Sequence, residues 1–515
     1  MKKLFLLLRH FLVISVLLSN SIFGYYQSID SNVFLGNENI SRNNIVAEVG
    51  DVCITVEEFL NSYEFGPAFV KRLPNSKQKY LQYMINEKLL ALKGYELELD
   101  KNETAEEMYT AIFSDLITEE LFREDILSKI IIDQSEIDTI VAMKNLQLEI
   151  SWLYSDDAEK INEYWISLKK GVAFDSLLQS QLSDSIFLDM RSMKTNRYSL
   201  GGKNAALAGM LDTLKVGAYS FPIHTDDGWY IVKFNNVSQN IITSESEYNK
   251  LVYESNQSAI KNKMDLESDK YVESMMNNVS PIIKRNAFIV VRSYLGQFVL
   301  PKEKFDEWQL QKELDKVMPE FGEVDEKSFP QIPLIQFTDG QKSISEFLVW
   351  FRSRSQYIKF NKTDLRSFSA SLEKLIWRML RDELLTAEAI ARGIDKRESV
   401  KNQARWWKDK IVHSTLINYL SRSIQLSREE QNFSDDNKDM TEEEYLNYEM
   451  TKKVFRQLND LKKKYAVKIN DSVLEDISVS AENDPRAIDL YTVKKGGLIP
   501  RTPYPVIDTF WNLWE

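Results

Sequence analysis

Apolar and polar positions along the chain alternate in short stretches and follow a helical period in long ones. Ile45-Val46-Ala47-Glu48-Val49-Gly50-Asp51 predicts a strand entering a tight turn, Cys53-Ile54-Thr55 the returning strand, and Val56-Glu57-Glu58-Phe59 the start of a helix. Leu334-Ile335-Gln336-Phe337-Thr338-Asp339-Gly340, followed by Ile344-Ser345-Glu346-Phe347, has the same order. Tyr83 to Leu92 is an amphipathic helix carrying Glu87, Leu89 and Leu90, and Met379 to Ile390 carries Asp382, Leu384 and Leu385 in the same register. From Leu89 to Asp100 is eleven residues, and so is Leu384 to Asp395. Long helices follow, with Met108, Ile112, Leu116 and Ile117 in the first and Trp406, Ile411, Leu416 and Leu420 in the second. They end on Ile130-Ile131-Ile132-Asp133-Gln134-Ser135-Glu136 and on Ile424-Gln425-Leu426-Ser427-Arg428-Glu429-Glu430.

Equal spacings across consecutive elements point to an internal repeat. Beyond this point the copies diverge. The second has a short acidic loop, Ser434 to Asp439, and Thr441-Glu442-Glu443-Glu444 then predicts a capping box opening a helix to about Lys464. That helix leads into Tyr465-Ala466-Val467-Lys468-Ile469. In the first copy the comparable helix, about Glu245 to Met276, leads into Pro281-Ile282-Ile283. The simplest organisation is one helical module used twice, with a small domain inserted in the first copy. Each returning helix is then expected to close its own module, the one from Thr441 on the Met379 to Ile390 helix.

Within the insertion, Leu146, Leu148, Ile150, Trp152 and Tyr154 share one face of a strand. Helices follow, one ending at Lys169-Lys170-Gly171, another starting at Phe174-Asp175-Ser176-Leu177-Leu178, and a short one ending near Leu214-Lys215-Val216-Gly217. Ala218 to Ile223 predicts a strand, Asp226-Asp227-Gly228 a hairpin turn, and Trp229 to Phe234 its return. These elements, with Leu200-Gly201, Ser220-x-Pro222 and above all Asp227-Gly228-Trp229-Tyr230-Ile231-Val232-Lys233, resemble a parvulin-type peptidyl-prolyl isomerase domain over about residues 146 to 238. The flanking helices resemble the N-terminal chaperone domain of SurA-type and PpiD-type periplasmic foldases, where a late helix also returns after the parvulin domain. A second module copy without a parvulin domain departs from that pattern.

The resemblance implies one histidine on the first strand of the domain and one on the last. Those positions fall on Ser151, or a neighbour if the register slips, and on Tyr230. The expected domain is therefore degenerate, with no catalytic residue assigned, although both hydroxyls can still donate hydrogen bonds. Leu207 and Met210 stand nearest to the family's pocket methionine and phenylalanine, and equally fit the core of a short helix. With Phe221 and Trp229 they are the candidate peptide-binding residues. His224, before the turn, fits a solvated loop residue.

Met1-Lys2-Lys3, the apolar stretches Leu4 to Leu8 and Phe11 to Leu18, and the small residues from Ser19 to Gly24 have the layout of a secretory signal peptide. The alternative is a membrane anchor, against which Arg9-His10 interrupts the roughly 20 apolar residues a span needs. No later segment is apolar enough to cross. Cys53 is the single cysteine, so no intramolecular disulfide forms, and its neighbours place it in a strand. A net charge of −12 disfavours nucleic acid. HExxH, CxxC, Walker and GxSxG motifs are absent, Gly201-Gly202 is too isolated for a phosphate loop, and two histidines beyond the leader give no metal centre.

Ten Trp, 23 Tyr and 26 Phe leave room for a binding surface. Trp350-Phe351, Phe360, Trp377 and Trp406-Trp407 fit either a cradle for client segments or core between helices. Arg352, Arg354, Arg378, Arg381 and Arg405 would keep the rim of a cradle soluble. The fold expected is α+β: two SurA-N-like helical modules with an inserted parvulin-like (FKBP-like) domain. The segments are a signal peptide (1–24), a linker (25–44), the first module (45–145 plus 241–290), the parvulin-like domain (146–240), a connecting helix and linker (291–328), the second module (329–480) and a Pro- and Trp-containing tail (481–515), which docks on the body or on a partner. The function expected is binding of unfolded or nascent exported proteins in the periplasm or cell envelope, outer-membrane proteins by analogy, without ATP or cofactor. The alternatives are an active prolyl isomerase and a structural or assembly subunit. Client identity and oligomeric state lie beyond the sequence.

Overall fold

The computed structural model describes residues 41, 43–64, 68–183, 186–225, 227–321, 331–338, 340–355, 358–430, 441–479, 489–493 and 497–501. The leader 1–24, most of the linker 25–44, the acidic loop Ser434 to Asp439 and most of the tail lie outside them. The chain is mostly helical with small antiparallel sheets, an α+β protein. It divides into two compact units, one from Met1–Ser128 and Asp265–Glu515, the other from Lys129–Met264.

In chain order the first unit opens with β1 (Ile45–Val49), β2 (Val52–Thr55), α1 (Val56–Glu64), α2 (Ala68–Lys71), α3 (Ser76–Glu96) and α4 (Glu103–Asp125). Gly50 makes the β1–β2 turn with φ +60, and a Cβ there would stand 2.8 Å from the Tyr465 ring. The second unit carries α5 (Gln134–Asn145), β3 (Leu146–Ser155), α6 (Ala158–Lys169), α7 (Phe174–Gln181), β4 (Ser192–Asn196), α8 (Arg197–Lys203), α9 (Ala205–Leu211), β5 (Ile223–Thr225), β6 (Gly228–Gln239) and the start of α10 (Glu245–Val279). The first unit resumes with β7 (Ile282–Ile283), α11 (Arg285–Val299), α12 (Lys302–Glu307), α13 (Leu310–Val317), β8 (Pro333–Phe337) and β9 (Gly340–Ser343). It continues through α14 (Ile344–Arg354), α15 (Leu365–Ala391), α16 (Glu398–Glu430), α17 (Glu442–Lys464), β10 (Val467–Ile469), α18 (Asp471–Asp476), β11 (Asp489–Val493) and β12 (Gly497–Arg501).

The repeated elements recur in the expected order. Each long helix pair is joined by one 3-10 turn, Leu99–Lys101 between α3 and α4 and Ile394–Lys396 between α15 and α16. The Thr441 capping box forms, with its hydroxyl accepting from Glu444 N at 3.3 Å and the Glu444 carboxylate accepting from Thr441 N at 2.8 Å. Closure of the copies differs from expectation. β10 pairs with β1, with Ala47 opposite Ile469, and β7 pairs with β8, with Ile283 opposite Ile335. The sheets β10-β1-β2 and β7-β8-β9 thus have the same order, but each takes its first strand from the other half of the chain.

Likewise α17 packs on α3 and α16, not on the Met379 to Ile390 part of α15. The reason lies in the long helices. α4 packs along α15 and α16 along α3, so each carries the chain across to the opposite half before it turns back. One core accordingly joins Phe59, Tyr80 and Leu89 to Leu416, Val454 and Leu458. The other joins Val290 and Ile335 to Phe347 and Met379. Trp350 and Trp406 are buried, so of the two readings of the aromatic residues core holds for these.

The arginines assigned to a soluble rim also divide. Arg352 and Arg405 are exposed, but Arg381 is 1% exposed and Arg354 9%, and Arg378 is half-buried. Arg354 bridges Asp115 at 2.5 Å and Asp382 at 3.5 Å, Arg381 holds Asp382 at 2.7 Å, and Trp350 Nε1 donates to Asp382 at 2.9 Å. The corresponding place in the other copy holds Lys88, bonded to Glu58 at 2.8 Å and Asp409 at 2.5 Å, with Lys410 on Glu87. Charges buried this deeply persist only when paired. Cys53 lies in β2, half-buried. Of the tail, the β11–β12 hairpin lies against α4 and α15.

Candidate functional site

The second unit is built on an antiparallel sheet of order β4-β3-β6-β5. Alternation along β3 sends Leu148, Ile150, Trp152 and Tyr154 to one side, where Leu200, Leu207 and Leu211 of α8 and α9 cover the inner part. Leu153 goes to the other side, with Ile161, Leu168, Phe174 and Leu178 of α6 and α7. β4 was not foreseen. Its sequence, Ser-Met-Lys-Thr-Asn, carries only a weak alternation of Met193 and Thr195. β5 starts later than expected, at Ile223. The backbone of Gly217 to Ser220 still pairs with β6, Ser220 N donating to Val232 O at 2.8 Å, before Pro222, which has no N–H to give.

Register decides what the candidate residues can do together. Ser151 lies opposite Lys233 and Tyr154 opposite Tyr230. Directly opposed residues share a face, so Tyr230 is on the α8/α9 side with Trp152 and Tyr154, whereas Ser151 is on the α6/α7 side with Leu153. The structure therefore does not bring Ser151 and Tyr230 together. Ser151 is buried, and its Oγ accepts from Asn235 Nδ2 at 3.1 Å, Asn235 being the extra residue of a bulge in β6. The Tyr230 hydroxyl donates to Asp227 Oδ2 at 2.7 Å, and burial together with that carboxylate pushes its pKa up. The Tyr154 hydroxyl donates to the Asp227 carbonyl at 2.6 Å, and the rings of Tyr154 and Tyr230 are 5.1 Å apart. Asp227 also accepts from Thr225 Oγ1 at 2.6 Å, and these bonds hold its carboxyl below the usual range.

The peptide-binding candidates separate in the same way. Leu207, 8% exposed, is core of α9, and Met210 is half-buried beside it on the Tyr230 side. Trp229 packs on the opposite side, its ring 4.7 Å from the exposed His224, while Phe221 is 55% exposed. Sequence reasoning missed Asp227, Arg191 and Met193 as parts of this face. Arg191 lies over the Tyr154 ring at 5.3 Å. The resulting surface is half-buried Trp152, Met193, Met210, Leu214 and Tyr230, bordered by tyrosine hydroxyls already engaged at Asp227. It can hold apolar side chains. Among the described residues it presents no pair of polar groups converging on one amide.

The first unit has a cleft of about 280 Å³ lined by Asp100, Glu106, Tyr109 and Lys408 among others. The Lys408 ammonium is already bonded to Asp100 at 3.2 Å and lies over the rings of Tyr95 and Tyr109.

No protein-family profile matches the chain, and no curated protein matches it. Solved structures give weak likenesses. The peptidylprolyl isomerase PrsA of Bacillus cereus is 14% identical, with 55% of this chain and 100% of that one covered at a TM-score of 0.22. PrsA of Bacillus anthracis is 13% identical over 37% of this chain and 96% of its own, at 0.20, and PrsA of Bacillus subtilis 18% over 45% and 93%, at 0.17. Likenesses at this level assign neither family nor activity.

Proposed function

We propose that the protein is a foldase-like chaperone of the cell envelope that binds unfolded exported polypeptides without ATP and whose parvulin-like domain has no isomerase chemistry. The observation that carries this is the α8/α9 side of the four-stranded sheet, a half-buried apolar surface with Ser151 turned to the opposite side. The uncatalysed prolyl rotation has a barrier of about 20 kcal/mol. Lowering it by hydrogen bonding needs donors aimed at one amide. Here the Ser151 hydroxyl is held by Asn235 and the Tyr230 hydroxyl by Asp227. What remains suits apolar side chains of a segment that has not yet buried them. The envelope location rests on the leader-like residues 1–24. Among the described residues no helix is long and apolar enough to cross a membrane.

Two assays on the full mature chain test this. Light scattering of a diluted, unfolded outer-membrane protein should fall in the presence of the chain with no nucleotide added. A protease-coupled proline-peptide assay should run at the uncatalysed rate while a histidine-containing parvulin accelerates it. Aggregation unchanged by the chain removes the binding function, and a rate close to the control's removes the claim of an inert domain.

A further inference from the structure

β4 is the outermost strand of its sheet and pairs with β3 alone. Trp152 N donates to the Arg191 carbonyl at 2.9 Å, and Ile150 and Leu148 lie opposite Met193 and Thr195. The backbone groups of Arg191, Met193 and Thr195 therefore turn toward β3, and those of Ser192 and Lys194 turn outward. Open edges of this kind are usually blunted by proline, a bulge or an outward charge. β4 contains no proline, and its one charge, Lys194, is bonded to Glu149 at 3.0 Å within the sheet.

The approach to this strand is apolar. Phe187 is 61% exposed, Leu188 47% and Met190 54%. The Ser192 hydroxyl donates to the Leu188 carbonyl at 2.9 Å, which ties the turn that carries them to the start of β4. Arg191 lies between the apolar turn and the strand. Its guanidinium rests on the Tyr154 ring and donates from Nη1 to the Met190 carbonyl at 3.2 Å, its Nε is buried without an acceptor, and it makes no ion pair among the described residues. A guanidinium with no carboxylate partner of its own gains a charge-assisted bond from an incoming one.

We propose that this edge receives an extended segment of unfolded polypeptide as a fifth strand, with apolar side chains on Phe187, Leu188 and Met190 and an aspartate or glutamate on Arg191. The inference rests on the polypeptide-binding function above and narrows it to a class of segment: extended, apolar, carrying one acidic residue. Main-chain bonds to Ser192 and Lys194 supply affinity that does not depend on sequence. Arg191 supplies the selection. The chain's net charge of −12 disfavours acidic segments at long range, so the preference is local to that guanidinium.

The test uses the full mature chain and a fluorescein-labelled peptide of alternating valine and threonine with a central aspartate, alongside its asparagine twin, read by anisotropy. Lys194→Pro removes an outward N–H while sparing the ladder to β3, and should weaken both peptides about tenfold. The triple variant F187S, L188S and M190S changes only exposed side chains and should do the same with an unaltered melting curve. Arg191→Gln should abolish the preference for aspartate over asparagine and leave the asparagine peptide's affinity as it was. Wild-type affinity in both Lys194→Pro and the triple variant overturns the proposal, and if Lys194→Pro does not fold, the triple variant alone decides. A dimer of the chain that Lys194→Pro or the triple variant dissolves overturns it too, by assigning the edge to a second copy. Light scattering with the same variants separates the two levels: suppression that persists leaves polypeptide binding standing at another surface, and wild-type chain that neither binds peptide nor suppresses aggregation removes both.

Discussion

Asp115 is the carboxylate on which the two halves of the first unit meet. It belongs to α4, its partner Arg354 to α14 at 2.5 Å, and Asp382 of α15 faces the same guanidinium. Burial pushes the Asp115 carboxyl up, Arg354 opposes this, Asp382 adds to it, and the result is about 7. The unfolded value is about 3.9, so folding takes up a proton between these values. This group therefore favours the fold most at low pH, and its contribution is lost as pH rises from about 4 to 7 and is flat above. Glu58, raised chiefly by burial, acts in the same direction. Glu96, held at about 2 by bonds from Lys464 and Tyr465, acts the opposite way, and only below about pH 4.5. Urea midpoints should thus be higher at pH 5.5 than at pH 8, and Asp115→Asn should reduce that difference. A difference unaltered by the substitution would put the titrating group elsewhere. A second residue sets how closely helices cross. A Cβ on Gly94 of α3 would run into Val412 Cγ1 and stand 3.1 Å from the Val412 carbonyl oxygen of α16. Gly94→Ala should cost about 1–3 kcal/mol by overpacking, seen as a lower melting temperature, despite alanine's better helix propensity.

At the scale of elements, the decisive feature is the exchange of returning helices. Leu458 of α17 is 3% exposed and lies in the core formed by β1, α1 and α3. Leu458→Ala should cost about 2–5 kcal/mol. Hydrogen exchange should locate the loss: faster over Ile45–Val49 and Ser76–Glu96, with Leu365–Ala391 little changed. The reverse pattern would return α17 to its own half. The local elements shared by the two halves were legible because their signals are local. The eleven-residue spacings from Leu89 and Leu384 end in the same 3-10 turn, and Thr441 and Glu444 cap a helix wherever that helix goes. Strand partners were not legible. Ile282-Ile283 and Val467 to Ile469 are both short, apolar and preceded by a helix, and neither encodes which edge it meets. Arg354 and Arg381 were misplaced for a related reason: charge signals exposure unless the paired carboxylates, distant in sequence, are known. The candidate site suffered from register. The face of Tyr230 follows only from its position opposite Tyr154, past a bulge between Glu149 and Ile150 that sequence does not mark.

At the scale of the whole molecule, exchanged closure makes the two halves of the first unit mutually dependent. Neither three-stranded sheet is complete within one half, since β1 and β2 need β10 from the end of the chain, and β8 and β9 need β7 from before them. The α4–α15 and α3–α16 packings and the Asp115–Arg354 and Lys88–Asp409 pairs also join one half to the other. An independently stable module over 329–480 is therefore not expected, because its core would lack Val290, Val291 and Leu295 of α11 while α17 would lose the surface of α3. A nick makes this measurable. A protease site inserted between residues 322 and 330 of the full chain separates the halves covalently without removing either. Because the cores and the buried ion pairs of the first unit span the cut, the two fragments should co-elute as one species after cleavage, and the first unit should unfold in urea in a single transition. Its midpoint should then depend on protein concentration, as for any complex held together by folding. Two transitions within the first unit, or fragments that separate on a sizing column while each keeps its helical circular dichroism, would show that each half closes on itself.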